Sequence, residues 1–523
     1  MIKILSDKKI FIIILLAAIL RLPFLDSFPP HLRNDEAALG YNAYSILETA
    51  RDEHGNFLPL IFKAFGDWKM GLYIYLIVPF VAMLGLNEVA VRLPYALAGI
   101  VSVLFLYGVV LELFNKRTAL AAAFLISISP LFVPMSRGAW DVTVGLTLAG
   151  IYFFLLALKD KNLFFLLSSF CFGISLLSSQ AAKLSTPVIL VLLIIIFFKD
   201  FKKVSIRIIL LGFLIIFLFA FPVILSFSQG KVSRITTLSI FSYPSSNEGP
   251  IVYYTKAILS RVFNVYSFRT LFLKGDLNPQ HGAPDIGPFL LMDTIFLLFG
   301  FIKVIQMGFT KQVLFILSLL FLLTLPSALT IEKVNLQRIL TLFIPFLLIE
   351  ALGMVLFWEK IKQKKWFLGI IITLYISNYI YFLDQYIIHG PKKNDAWQYG
   401  YKQIIEKISP IQNQYQKIIV QQGLEHPYIF FLFYQKYDPA KYQAQVSQVF
   451  IPNKDGKDMG LVSGIDNIKF EYIDWSKKVE QGVLYIMPVY KLEQQTKFYS
   501  DYKIVDEVKD LNGLPLFIIV EII

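Results

Sequence analysis

The sequence predicts a polytopic α-helical membrane protein of about eleven spans, with interfacial helices on its outer side and a soluble C-terminal α/β domain. Three observations carry this. The 523 residues are 56% hydrophobic and only 16% charged, and the mean hydropathy is +0.62, a balance that excludes an ordinary water-soluble chain. Apolar segments of 15 to 25 residues recur between residues 9 and 388. From Gly390 onward the composition becomes that of a soluble domain.

The first apolar segment follows Lys3, Lys8 and Lys9, and Arg21 and Pro23 stand where a signal peptide would need small residues, so it is expected to be retained as a span. The net charge of +12 gathers in short Lys/Arg runs between apolar segments, which is the pattern of membrane orientation and gives no reason to expect a nucleic-acid partner. Cys171 is the only cysteine, so no intrachain disulfide or cysteine-based zinc cluster is available.

The segment Gly71 to Gly85 decides the topology. Its 15 residues, with Pro79 inside, reach about 22 Å as a helix against a hydrocarbon core of about 30 Å. If it does not cross, Lys116-Arg117, Lys159 to Lys161, Lys199 to Lys203, Lys303 to Lys311 and Lys360 to Lys365 all share the cytoplasmic side with the N-terminus. Residues 69 to 86 are therefore expected as an outer interfacial or re-entrant helix. The spans become 9–25, 90–113, 118–135, 141–158, 162–179, 184–198, 206–227, 287–307, 312–328, 336–357 and 366–388. The protein is thus expected in the cell membrane as a multi-pass chain, N-terminus cytoplasmic, with residues 1–389 as the membrane domain and 390–523 extracytoplasmic. Strand-like runs at Lys417 to Val420, Ile468 to Tyr472, Val483 to Tyr490 and Pro515 to Val520, with a helical stretch at Trp397 to Ile408, predict the α/β character of the latter.

Four polar segments then share the outer face: 26–70, 137–141, 228–286 and 329–337. The densest runs from His31 through Asn34-Asp35-Glu36 to Asp67-Trp68-Lys69, and ionisable residues beside hydrocarbon are costly enough to suggest function. Asn34-Asp35-Glu36 opens a helix with Tyr41, Tyr44 and Leu47 at helical spacing; it fits an N-cap with first-turn acids, or a carboxylate placed to deprotonate an acceptor hydroxyl. Asp141 starts a span after Arg137 and fits a helix-start acid or a second catalytic acid. Lys69 fits an interfacial anchor or a cation that meets a lipid phosphate. Arg338 fits snorkelling or bidentate phosphate binding. In the long loop, Lys274 to Gly282 holds Asp276 and His281 among turn residues, a candidate substrate-binding loop. His31, Asp35 and Asp141 are the residues able to share a divalent ion, although no metal-ligand spacing marks them.

On Arg21-Leu22-Pro23, Asp35-Glu36-Ala37, His54 to Pro59, Lys69 to Tyr75, Gly85 to Pro94, Ser129-Pro130 with Arg137, and Leu329-Thr330 with Arg338, the chain resembles the lipid-dependent membrane glycosyltransferases of the protein O-mannosyltransferase and aminoarabinose transferase superfamily. The resemblance covers residues 1 to about 390. It implies inverting transfer of a sugar from a polyprenyl-phosphate carrier to an extracytoplasmic protein, lipid or glycan acceptor. It also implies Asp35 as the catalytic carboxylate with Glu36 beside it, and Lys69, Arg338 and Arg137 as cations for the donor phosphate. The chain departs from its relatives in carrying Asp-Trp-Lys-Met-Gly where they have Lys-Pro-Pro-Leu or His-Pro-Pro-Leu. A flippase for lipid-linked sugars and a scaffold for the outer domain are the competing readings. Against the first, no repeat-related broken helices appear at mid-depth. Against the second, eleven spans far exceed an anchor.

Overall fold

The computed structural model describes residues 7–139, 142–159, 162–231, 238–242, 249–275, 278–393, 398–423, 425–452 and 458–523. Two compact units emerge, one formed by Met1–Pro23 with Tyr95–Gly390 and the other by Phe24–Pro94 with Pro391–Ile523. The seams between the units fall after Pro23, Pro94 and Gly390. Residues 24–94, assigned by sequence to the membrane domain, group instead with the C-terminal segment.

The first unit is helical. Among the described residues, five helices are long and apolar enough to cross a membrane: Glu88–Leu113, Ile206–Ser228, Lys311–Ala328, Gln337–Ile361 and Lys365–Lys393. The other six segments expected to span contain helices of 12 to 15 residues, such as Lys8–Arg21, Lys116–Ile128 and Phe164–Ser175. Length by itself therefore does not establish eleven crossings. Proline accounts for one of the short elements: Ser129-Pro130 stops Lys116–Ile128, leaving its last carbonyls without intrahelical donors. Arg21 supplies them, Nη1 donating to Ser127 O at 2.8 Å and Nη2 to Ile126 O at 3.0 Å from a fully buried side chain. Gly99 lets this knot close, since a Cβ there would stand 3.0 Å from Ser136 Oγ and 3.1 Å from Arg21 Nε. Burial separates the helices: 89% of the apolar window of Gln337–Ile361 is buried in the protein against 11% for Ile206–Ser228 and for Lys365–Lys393. The first is hydrophobic because it is core, the other two because their surroundings are apolar.

The second unit begins with the helix Asn34–Thr49, continues through a hairpin of Ile61–Ala64 and Asp67–Met70, and reaches the helix Leu72–Leu84. The hairpin corrects the expectation that Lys69 heads an interfacial helix. The register pairs Phe62 with Lys69 and Ala64 with Asp67, leaving Phe65-Gly66 as a two-residue loop with φ of 54° and 71°, the left-handed pair that a type I′ turn needs. The helix starts only after Gly71. Further along, strands in the spatial order Gly464–Ile465, Ile468–Glu471, Ile418–Gln421, Leu484–Pro488, Pro515–Ile522 and Tyr502–Lys509 form a mixed six-stranded sheet. Ile418–Gln421 runs parallel to both of its neighbours, and the remaining pairs are antiparallel. All four strand-like runs read from the sequence are in it. The helix expected from Trp397 is observed over Tyr401–Ile408, Trp397 itself lying outside the described residues.

Candidate active site

The start of the helix Asn34–Thr49 is fixed by ion pairing rather than by a simple cap. Glu36 reaches back to accept the Arg33 N–H at 3.1 Å, and its buried carboxylate is gripped by Arg92, Nε to Oε1 at 3.0 Å and Nη2 to Oε2 at 3.2 Å. The remaining donors of Arg92 collect the preceding loop, Nη1 bonding Leu25 O and Pro29 O and Nη2 bonding His31 O at 2.7 Å. Arg92 is fully buried, so a charge so placed persists only with this full set of acceptors. Glu36 thus orients the loop that carries Asp35.

Asp35 projects from this anchored turn and pairs with Lys69 of the hairpin. The two side chains are 35% and 16% exposed, so the pair faces an approachable surface while the acid beside it does not. Arg33 Nη2 lies 4.0 Å from the second Asp35 oxygen. Lys69 Nζ also sits 4.7 Å from the centroid of the Phe65 ring. A carboxylate, an ammonium and a guanidinium therefore converge at one point.

Three residues that sequence reasoning did not single out belong to the same neighbourhood. Glu53 is fully buried and exchanges two hydrogen bonds with Asn42, whose Nδ2 donates to Oε1 at 3.1 Å while Oδ1 accepts the Glu53 N–H at 3.0 Å. Burial pushes its carboxyl up from the ordinary range. His426 stacks on Phe65 with ring centroids 4.3 Å apart, and burial, assisted by the charge of Lys69, lowers its imidazole to about 4. Gln398 Oε1 accepts the Asn34 N–H at 2.8 Å. Only Glu53 had a local signal, its adjacency to the His54 to Pro59 stretch; the other two are brought in by tertiary structure.

His31 is not a free ligand. Its Nδ1 bonds Leu32 O at 2.5 Å and its Nε2 accepts the Lys402 N–H at 3.1 Å, so both nitrogens are committed and the proton sits on Nδ1. Burial lowers this imidazole to about 4 as well. Asp141 and Asp276 lie outside the described residues. Among the described residues no group of three or more His, Cys, Asp or Glu is arranged to hold a metal ion.

The other expected site residues are in the first unit. Arg137 is buried and spends two guanidinium nitrogens on backbone carbonyls, Leu20 O at 3.2 Å and Pro23 O at 2.7 Å. Arg338 is ion-paired with Glu332, Nη1 to Oε2 at 3.3 Å. His281 is buried and lines a cavity of about 110 Å³ together with Lys274, Asn278 and Leu336. Asn278 Nδ2 stands 3.4 Å from its Nε2. The structure thus unites Asp35, Glu36 and Lys69 in the second unit and places Arg137, Arg338 and His281 in the first.

Comparison with known proteins agrees with this architecture. Residues 71–225 match the family model of dolichyl-phosphate-mannose-protein mannosyltransferase. A search of curated proteins gives no match. The structure is similar to ArnT from Cupriavidus metallidurans bound to undecaprenyl phosphate, at a TM-score of 0.57 and 11% identity over 97% of both chains. Similarity to the apo state of the same protein gives 0.55 and 12%, again over 97% of both. An oligosaccharyltransferase from Archaeoglobus fulgidus tethered to an acceptor peptide matches at 0.50 and 13%, over 97% of this chain and 73% of the other. At such identities the likeness is one of fold.

Proposed function

We propose that this chain is a C-type glycosyltransferase, a reading its partial match to the mannosyltransferase family model and its fold support, and that it transfers a sugar, with inversion, from a polyprenyl-phosphate carrier to an acceptor outside the cytoplasm. The observation that carries the reading is the partly exposed Asp35–Lys69 pair on an anchored helix start. In the resting site each neutralises the other. A donor phosphate draws the ammonium of Lys69 to itself and releases the Asp35 carboxylate to accept the proton of an acceptor hydroxyl. The acceptor oxygen bonds to the anomeric carbon as the carbon–oxygen bond to phosphate breaks, and the bonding pair leaves on the phosphate oxygen. A fixed cation at that oxygen lowers the barrier, because negative charge grows there in the transition state. One displacement on one carboxylate inverts the centre.

Arg338 is kept as a further candidate cation for the donor phosphate. Arg137 is placed as a positioning residue, since its guanidinium is spent on the carbonyls of Leu20 and Pro23. Asp141 is kept as a second acid, and the loop with Asp276 and His281 as a substrate-binding element. A divalent ion at Asp35 and Asp141 is not required by this chemistry. The eleven-span topology, with the pair on the outer side, completes the reading.

The test is incubation of purified protein in lipid with a panel of labelled polyprenyl-phosphate sugars and membrane extract as acceptor. Label should leave the carrier and appear on acceptor with inverted anomeric configuration. Movement of intact lipid-linked sugar across the bilayer without cleavage would replace the transferase reading by a flippase.

A further inference from the structure

The hairpin that presents Lys69 is held from the C-terminal segment, and at two separate points. Its turn places Phe65, a non-glycine residue, at φ 54°, a conformation that persists only when the surroundings impose it. The Phe65 ring lies flat against the His426 imidazole, with ring centroids 4.3 Å apart at an interplanar angle of 16°, and meets the Tyr428 ring edge-on at 6.2 Å. On the backbone side, Gly460 of the strand Asp458–Val462 rests directly on the turn. A Cβ there would stand 2.8 Å from Gly66 N, and Gly460 itself has a φ of +67°, so glycine is demanded twice over.

The same segment secures the element that presents Asp35. Gln398 bonds the Asn34 N–H, and Gln443 Nε2 donates to Ser45 Oγ at 3.0 Å, Thr49 Oγ1 at 2.9 Å and Asp52 O at 3.0 Å. Phe65 is the common member, since its ring is shared by His426 and by the Lys69 ammonium at 4.7 Å. A lysine has a long, rotamer-rich stem, and its charge is useful to a phosphate only where the backbone beneath it is fixed.

We propose that the C-terminal segment is a positioning clamp for the donor site, in which the ring of His426 and the backbone of Gly460 grip the Phe65-Gly66 turn and so hold Lys69 where a lipid-linked phosphate binds. The proposal rests on the transferase reading for its ligand. It gives the last 130 or so residues a task in donor binding. His426 acts through Phe65 and is a positioning residue.

The experiment compares wild type, His426→Ala, His426→Phe and Lys69→Ala in lipid nanodiscs. It measures binding of undecaprenyl phosphate, KM and kcat with whichever labelled donor wild type consumes, and hydrogen exchange of amides 61–70. Loss of an aromatic stack corresponds to about a 2- to 10-fold change. His426→Ala should raise the undecaprenyl-phosphate Kd and donor KM by about that factor, leave kcat at saturation near wild type, and speed exchange in the hairpin. His426→Phe should restore all three, because it keeps the ring and the neutral state. Unchanged Kd and exchange in folded His426→Ala overturn the clamp, as does failure of Phe to rescue. If His426→Ala does not fold, Phe65→Leu is read by the same measurements, and unchanged values again overturn the proposal. A wild type that consumes no donor defeats the transferase reading, while binding and exchange still decide the clamp.

Discussion

Asp35 and Glu36 are neighbours in sequence with opposite fates, and environment separates them. Glu36 is 3% exposed and locked to Arg92, whereas the Asp35 side chain is 35% exposed and faces a lysine. Asp35→Asn keeps the shape and removes the charge, so it should fold normally and lose transfer by about 10² or more, the scale of a general base. Turnover near wild type with saturating substrates would move the assignment to another acid. Glu36→Ala should act on stability instead. It strands a buried guanidinium, a loss of about 3–5 kcal/mol, visible as a lowered melting temperature and restored in part by removing Arg92 as well. Lys69→Ala should weaken binding of undecaprenyl phosphate while the fold persists. The presence of an acid pair at the helix start was legible in the sequence. Which of the two is anchored was not, because Arg92 lies 56 positions away and is chosen by packing.

At the scale of elements, the runs that read correctly were those whose pattern is local. The buried strands Ile418–Gln421 and Leu484–Pro488 are short apolar runs rich in β-branched residues or aromatics, which is the sequence signature of a sheet interior. The Lys69 hairpin was missed because its turn is Phe-Gly, without the Asn or Asp that normally announces a type I′ loop. Its left-handed Phe65 is stabilised by stacking on His426, a contact no local pattern encodes. These buried histidines carry a pH consequence. His31 and His426 are each lowered from 6.5 to about 4, His31 among Arg92, Glu88 and Lys402 and His426 beside Lys69 and Asp35. Between those values the unfolded chain binds more protons than the folded one, so stability falls as pH drops from about 6.5 to about 4, by up to roughly 3 kcal/mol for each histidine. Melting curves across pH 7 to 4 should show this decline. His426→Phe should remove about half of it, and an unchanged slope would refute the assignment.

For the whole molecule, the composition of the second unit constrains how the chain threads the membrane. Residues 24–94 and 391–523 form one compact unit, so both must lie on the same side, and the chain between them must cross an even number of times. The expected spans supply ten crossings between residues 90 and 388, which meets that condition. Counting the helix Leu72–Leu84 as a further crossing would put the Asp35 turn and the C-terminal segment on opposite sides, although Gln398 bonds Asn34 directly. Its 13 residues extend about 20 Å, also short of the hydrocarbon thickness. The chain's single cysteine makes a clean test, because Cys171→Ala gives a background free of thiols. On that background, Lys256→Cys should react with a membrane-impermeant maleimide in intact cells. Asn115→Cys, in the basic loop expected inside, should react only after permeabilisation. A third site, Lys477→Cys in the C-terminal segment, should follow Lys256, as the even count requires. Labelling of Asn115 and Lys256 from the same side would refute the eleven-span threading, and Lys477 reacting with the inner set would refute the even count itself.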